Sequence, residues 1–353
     1  MRSARASAPL SSAGARQRSR TAPQQADPPR LTGQRVLVTG GLGFIGSNLV
    51  HRCLGLGAEV TVFDCLDPKS GGNLRNMDGV RKDVEIVVND IRNFEAVCAA
   101  VMNHDIVFNC AAYTSHPNSM REPLVDIDVN CKGVVNILES ARRFNPEARI
   151  VQVGTSTQIG RMVRPVVDEL HPEYPVDIYS ANKSASEKYV LVYARAYGMR
   201  ATCVRLANVF GPRSNIKSPD FGFVNYFVGL ALQGKPITVF GDGSQLRTVT
   251  YVDDVVDALI LASVSPRAAG EALFAVADGQ HSVREIAEAI VGSMGGELRV
   301  VEWPRERAAI EVGDAVISNR KAKRVLGWRP RVDLLEGMAR TREYFAPRLR
   351  EYL

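Results

Sequence analysis

The chain has 353 residues, 45% hydrophobic and 23% charged, with 29 Gly and 18 Pro and a mean hydropathy of -0.08, which excludes a collagen-like, disordered or membrane-spanning polypeptide. At about 150 residues per domain the length suits two domains and a core that needs no disulfide or metal staples. The formal charge of +6 is a property of one end: residues 1–30 hold six Arg against Asp27, net +5, leaving +1 on the other 323 residues. That near-balanced body has no bulk electrostatic pull toward nucleic acid or anionic lipid, so neither is expected as a partner.

Residues 1–33 read as a basic, disordered tail. They are rich in Ser, Ala, Arg and Pro, and up to residue 30 Leu10 is the single Leu, Ile or Val, too little apolar surface to offset the entropy of ordering. The composition also resembles an organelle transit peptide, but its four prolines and lack of an apolar helical face favour plain disorder. Six cysteines, at 53, 65, 98, 110, 131 and 203, include no C-x-x-C pair. Reduced thiols, a reducing compartment and no metal are expected. No run reaches the roughly 18–20 apolar residues of a membrane span, and a secretory signal is not apparent, so the expected location is cytoplasmic.

From residue 34 the pattern is regular. QRVLVTG reads as a buried strand, GFIGSNLVHRCLGLG as a helix closed by Gly57, and AEVTVFD as the next strand. VEIVV, helical NFEAVCAAVMN, DIVFNCAA, a long helix from Ser119 to Arg143, and ARIVQVG continue the alternation. Continuous apolar strands alternating with helices predict a doubly wound parallel α/β sheet of the Rossmann kind over 34–205. After about residue 205 the rhythm loosens into GPRSNIKSPDFG and GDGSQ loops. Helices near 253–263, 282–293 and 334–344 then predict a smaller C-terminal α+β lobe, 206–353. Ile237–Phe240 and Ala272–Val276 are each placed to return to the sheet.

VLVTGGLGFIGSNLV sets Gly40, Gly41, Gly43 and Gly46 between a strand and a helix. Such glycines permit the tight turn and bring main-chain N–H groups at the helix N-terminus against a pyrophosphate; Phe44 and Ile45 belong to the same turn. A Gly-rich turn without ligand is the plainer alternative. Asp64 tips the balance, because it ends the next strand 18 residues after Gly46, where a carboxylate accepts from ribose hydroxyls and repels a 2′-phosphate. NAD is therefore expected rather than NADP. Asp90, with Ile91 beside it, stands after the third strand, either to meet the adenine amino group or to cap the next helix. Ala111 and Ala112 close the fourth strand, small enough for close passage of the cofactor or merely for packing.

ARIVQVG runs into Thr155, Ser156 and Thr157, and Tyr179 follows in YSANK with Lys183. Positions i and i+4 share a helical face, so hydroxyl and ammonium can converge. Bringing a phenol from about 10 toward 7 needs roughly 4 kcal/mol of favourable field, which Lys183 and a positively charged nicotinamide are expected to supply.

With TGGLGFIG, Asp64, NDIRN, the Asn130-x-x-Gly133 step, GTST, YSANK, VRLANVFGPR and FGDGSQLRTVTYVDDVV in order, the chain resembles the extended short-chain dehydrogenase/reductase family over about residues 35–330. Within it, the nucleotide-sugar epimerases and dehydratases are the most similar. The resemblance implies NAD held by the turn, the acidic residues and Asn130. It assigns Thr155 to the sugar 4-hydroxyl, Tyr179 as general base, and Lys183 to the phenol and the nicotinamide ribose. It places a nucleotide-sugar against Ser156, Asn208, Asn225, Phe240 and Arg247, with Asn208 near the diphosphate, Phe240 on the base and Arg247 on the phosphates. It also implies a homodimer formed by the helices around 119–143 and 179–197, with Val134, Ile137, Leu138, Val190 and Tyr193 allowing that contact.

Two departures from the family pattern matter. Where the family's 4,6-dehydratases carry Asp-Glu after the threonine, and its UDP-xylose-forming decarboxylases a Glu, this chain has Ser156 and Thr157, neither able to act as a carboxylic acid. Elimination is thus disfavoured, leaving reversible oxidation at C4 by a 4-epimerase. A 4-ketoreductase or dehydratase, or a noncatalytic dinucleotide sensor, is the alternative. The sugar-side loop AAYTSHPNSM is the second departure, and His116 in it reads either as a contact to the sugar or, the reading favoured, as a solvated loop residue. A late arginine on the diphosphate has only Arg307 as a candidate.

Overall fold

The structure is a computed structural model describing residues 26–67, 69–304 and 313–353; most of the basic tail, and Arg307, lie outside those residues. Its centre is a seven-stranded sheet in which every pairing is parallel. In chain order the elements are β1 (Arg35–Thr39), α1 (Phe44–Gly55), β2 (Glu59–Asp64), β3 (Val84–Val88), α2 (Phe94–Val101) and β4 (Ile106–Asn109). They continue with α3 (His116–Arg121), α4 (Pro123–Ile127), α5 (Val134–Phe144), β5 (Arg149–Thr155), α6 (Ile178–Tyr197) and β6 (Ala201–Leu206). Completing the described set before the final helices are β7 (Val209–Phe210), α7 (Phe223–Leu232), β8 (Ile237–Phe240), β9 (Leu246–Arg247), β10 (Thr250–Tyr251), α8 (Val252–Val264), β11 (Ala272–Phe274), β12 (His281–Ser282), α9 (Val283–Met294) and β13 (Leu298–Val301).

The strand order is β11-β6-β5-β4-β1-β2-β3. The chain starts at the middle, winds outward to β3, then crosses back to β4 and proceeds the other way, so the order reverses between β1 and β4. Crevices for ligands open outside the carboxyl ends of the strands at such a point. The expected doubly wound sheet is therefore present. Ala272–Phe274 does return to it, pairing with Cys203–Arg205. Ile237–Phe240 does not: it pairs with Leu298–Val301 instead, because a short alternating strand with Ile237 and Val239 buried is satisfied by any partner that covers that face.

The long helix expected from Ser119 to Arg143 is broken. Pro123, at the start of α4, lacks the N–H that would continue α3, and residues Asp128–Gly133 form a wider π-type turn before α5. Gly133 sits in that turn because a Cβ there would lie 2.5 Å from Ile91 Cδ1. The apolar residues singled out for a dimer face are mostly internal: Val134, Ile137, Leu138 and Val190 are fully buried in the core between sheet and helices. Leu124, Val192 and Tyr197 are exposed apolar side chains of these helices.

Two polar systems tie the site-bearing elements to the sheet. Thr39 Oγ1 donates to Asn109 Oδ1, and Asn109 Nδ2 to Gln152 Oε1 at 2.7 Å, a buried ladder across β1, β4 and β5. On the other side, Arg205 of β6 makes a two-pronged pair with Glu187 of α6 and a third bond to Glu173. The Arg205 and Glu187 side chains are only 3% and 2% exposed. Removing one member strands buried charge, so Arg205→Met is expected to cost about 3–5 kcal/mol, read as a lowered midpoint in chemical denaturation.

Candidate functional site

A cleft of about 520 Å³ opens at the carboxyl ends of β1, β2, β4 and β5. Its floor is the turn between β1 and α1. Gly40 has φ +66° and passes so close to the end of β4 that a Cβ would lie 2.6 Å from Ala111 N. Gly46 is tighter still, since its Cβ would fall 2.2 Å from Gly40 O. These glycines let the chain fold back under the helix start. The first i to i−4 bond of α1 runs from Ser47 N to Gly43 O, and no side chain caps that end. The N–H groups of Phe44, Ile45 and Gly46 therefore present positive partial charge to the cleft they line.

Asp64 ends β2 at the cleft wall. Its carboxylate accepts from Leu42 N at 3.0 Å and Leu66 N at 2.9 Å. Burial raises its pKa, and these two N–H groups oppose that. An oriented, buried carboxylate beside an uncapped helix end is a donor and acceptor set that fits a dinucleotide: amides for the diphosphate, Asp64 for ribose hydroxyls. Asp64→Asn is expected to weaken NAD binding about 10- to 100-fold, as loss of a charged hydrogen bond of about 1.5–3 kcal/mol implies, measured by calorimetric titration.

Asp90, Ile91, Ala111 and Ala112 also line the cleft. Asp90 is held by a two-pronged bond from Arg92, at 3.0 and 2.7 Å; burial pushes its carboxyl up, but Arg92 leaves it below the ordinary range. Helix α2 is capped by Asn93, not by Asp90. Asn130 is a different case. It does not line the cleft; it lies buried, bonding Tyr113 N, Tyr113 O and Asp126 Oδ1. Asn130 thus braces the backbone just beyond Ala111 and Ala112, which is why the Asn-x-x-Gly step accompanies the cofactor motif without reaching the cleft.

Thr155, Tyr179 and Lys183 come together at the far end. Thr155 closes β5; its Oγ1 accepts from Thr157 N at 3.2 Å and lies 3.1 Å from Thr157 Oγ1. Ser180 Oγ donates to the same Thr157 hydroxyl at 3.1 Å, tying the strand end to the first turn of α6. That turn is set by Asp177, whose Oδ1 caps Ser180 N at 2.8 Å. Tyr179 and Lys183 face the cleft one helical turn apart, and both are nearly buried. Lys183 Nζ donates to Val153 O at 2.6 Å; burial lowers its pKa.

The expected depression of the Tyr179 phenol is not produced by the chain's own groups. Burial pushes it well above its usual value, the Thr155 hydroxyl opposes that rise, and the carboxylates of Asp126 and Asp177 add to it. The ammonium that was to lower it is engaged on the Val153 carbonyl.

The residues assigned to substrate divide. Asn208 lines the cleft, its Nδ2 fixed on Thr248 O at 3.0 Å. Ser156 is not among the lining residues, although Thr155 and Thr157 on either side of it are; it opens a short 3-10 helix, Ser156–Ile159. Asn225, buried in α7, donates to Val209 O at 3.0 Å and does not line the cleft. Phe240 packs on Trp303, ring centroids 5.5 Å apart. Arg247 donates to the Leu246 and Gly313 carbonyls. Both lie outside the cleft lining.

His116 departs from the favoured reading: it opens α3 instead of lying in a loop, and its half-exposed side chain has specific partners. It lines the cleft, its Nδ1 stands 2.7 Å from Asp177 Oδ2, and its ring meets that of Tyr179 edge-on at 4.9 Å. Tyr113 was also missed. Its hydroxyl donates to Glu122 at 2.6 Å, and Lys69 closes onto the same carboxylate, joining the loop after β2 to the α3–α4 corner beside the cleft. Neither link has a local sequence signal, since each joins residues from separate elements.

The chain matches a family model described as the NAD dependent epimerase/dehydratase family over residues 36–277. It is 33% identical over 312 residues to a UDP-glucose 4-epimerase of Mycolicibacterium smegmatis, covering 88% of this chain and 98% of that protein. It is 32% identical over 328 residues to UDP-glucuronic acid decarboxylase 1 of Xenopus tropicalis, covering 90% and 73%. The solved structure of a Thermus thermophilus UDP-glucose 4-epimerase in complex with NAD superposes with a TM-score of 0.78 at 33% identity, covering 88% of this chain and 98% of that one. Among the described residues no helix is long and apolar enough to cross a membrane.

Proposed function

We propose that this chain, which belongs to the NAD dependent epimerase/dehydratase family, inverts C4 of a nucleotide-sugar of the UDP-glucose/UDP-galactose or UDP-glucuronate type through a transient 4-keto sugar. The observation that carries the reading is the side-chain chemistry around Tyr179 and Lys183. The β5 end offers Thr155, Ser156 and Thr157, hydroxyls only, and Thr157 is already engaged with Thr155 and Ser180. Loss of water or of carbon dioxide would call on a carboxylic acid at that strand end. Oxidation and return at C4 need only a proton acceptor, a hydroxyl to orient the sugar and a hydride carrier.

Bound NAD supplies what the chain lacks: a carbon that accepts hydride reversibly and a positive charge that favours the ionised phenol. Uncapped α1 amides, Asp64 and Lys183 are the groups that would hold it. Tyr179 takes the proton of the 4-hydroxyl and gives it back after the keto sugar has presented its other face, while Thr155 orients that oxygen. The redox change sums to zero over a turnover. Residues 206–353 serve mainly as the substrate lobe, with Asn208, Val209, Asn215 and the segment from Pro219 to Phe223 among its contributions to the cleft wall, and a second copy packs on the exposed Leu124, Val192 and Tyr197 side chains to form a homodimer.

Incubation with UDP-glucose and with UDP-glucuronate, followed by 1H NMR, is expected to show the 4-epimer of one of them without added NADH. A 4-keto-6-deoxy product, or turnover only with added NADH, would contradict the assignment.

A further inference from the structure

His116 and Asp177 form a pair that nothing in the C4 chemistry requires. They lie 61 residues apart in sequence, His116 at the start of α3 and Asp177 at the N-cap of α6, and meet at 2.7 Å. The Asp177 side chain is 14% exposed and that of His116 40%, at the cleft edge. Both carboxylate oxygens of Asp177 are used: Oδ2 toward His116 Nδ1, Oδ1 as the acceptor for Ser180 N at 2.8 Å. Tyr179 is the residue immediately before Ser180, so the carboxylate that His116 engages is the one that sets the helical turn carrying the phenol. The imidazole also touches the Tyr179 ring directly, centroids 4.9 Å apart at 74°, an edge-to-face geometry that holds ring orientation.

The base of His116 is itself fixed. Ser115 caps α3 by accepting from Asn118 N, and Ser119 Oγ donates back to His116 O at 2.8 Å. Tyr179 is thus confined from two directions: the Thr155 hydroxyl at the end of β5 bonds to its phenol, and the imidazole bears on its ring from α3. We propose that His116 is a positioning residue for the reaction, fixing the first turn of α6 through Asp177 and the Tyr179 ring by direct contact. The proposal rests on the reading of Tyr179 as the proton-transfer group. A misplacement of about 1 Å can cost about 10²-fold in rate, so a side chain that never touches the reacting atoms can still govern turnover.

Two variants separate the two contacts. His116→Asn keeps a donor near the place of Nδ1 and loses the ring; His116→Phe keeps the ring and loses the donor. On the NAD-loaded enzyme, each is expected to lower kcat about 10- to 100-fold, with KM for the nucleotide-sugar within about threefold and Tm within a few degrees. Asp177→Asn retains the cap acceptor for Ser180 but no longer offers an anionic acceptor to Nδ1. Combined with His116→Phe, it is expected to lose little beyond the worse single variant, the non-additivity of residues acting along one path. Variants that keep wild-type kcat, or that lose kcat, KM and Tm together, would overturn the proposal.

Amide hydrogen exchange at Ser180 provides a readout that does not depend on turnover. It is expected to quicken about tenfold in His116→Phe and Asp177→Asn, and unchanged exchange would overturn the inference. A wild-type protein that converts no nucleotide-sugar would sink the functional reading alone, leaving the exchange result to decide this one.

Discussion

Tyr179→Phe is expected to lower kcat by roughly 10²- to 10⁴-fold, the span that a positioned proton-transfer group contributes, while NAD affinity stays within about threefold. The substitution removes one oxygen and nothing else. Phe keeps the edge-on contact with His116 and the buried volume, so Tm should move by no more than a few degrees. No backbone bond changes, and the α1 amides and Asp64 are untouched. The measurement is a rate by coupled assay or NMR beside an NAD titration of the same preparation. Activity within tenfold of wild type would remove the phenol from the chemistry, and loss of NAD binding would make Tyr179 a structural part of the cofactor site.

Gly46→Ala is the second large effect, and it acts on the cofactor rather than on chemistry. The new Cβ would lie 2.2 Å from Gly40 O and 2.8 Å from Gly41 Cα, both main-chain atoms that cannot swing aside as a flexible side chain would. The turn must open, moving the Phe44 and Ile45 amides away from the anion they would cradle. Stability is expected to fall by about 1–3 kcal/mol, as for other overpacked sites, and NAD affinity by more than about tenfold. Gly55, in the last turn of the same helix, is the control: a Cβ there meets nothing within 4 Å. Gly55→Ala is expected to raise stability by up to about 1 kcal/mol with NAD affinity unchanged. Equal effects at the two positions would mean that helix propensity, and not the close approach of Gly46 to Gly40, dominates.

The parts of this molecule that were legible in the sequence are those encoded locally. A β-branched run ending in Gly, then a helix, then a strand ending in Asp64, is a contiguous signal, and the structure places Gly40, Gly43, Gly46 and Asp64 on one cleft. Tyr179 and Lys183 were legible because helical periodicity alone puts them on one face. What the sequence left open is what depends on distant partners. Phe240 and Arg247 sit in a motif beside short strands, and which face a two-residue strand such as β9 presents is decided by its pairing with β12. No pattern in LR or HS announces that pairing.

The same holds for Asn130, which carries a motif signal but acts one layer behind the cleft, holding Tyr113. His116 shows the opposite case. A lone histidine in a loop gives no sign of an acid 61 residues away, and only the packing of α3 against α6 brings the two together. The phenol illustrates a third limit: spacing showed that Lys183 could reach Tyr179, whereas the Val153 carbonyl that takes its ammonium belongs to the next layer of the sheet.

The central claim is that hydrogen leaves C4 as hydride and returns to the same carbon from the opposite side. Running the epimerisation to equilibrium in deuterium oxide tests it most directly, with the product's C4 position read by 1H NMR and mass spectrometry. The account predicts a 4-epimer that keeps protium at C4 and carries no deuterium on any carbon. Deuterium at C4, or at a neighbouring carbon, would mean that a carbon-bound hydrogen had been exchanged as a proton with solvent, and would contradict it.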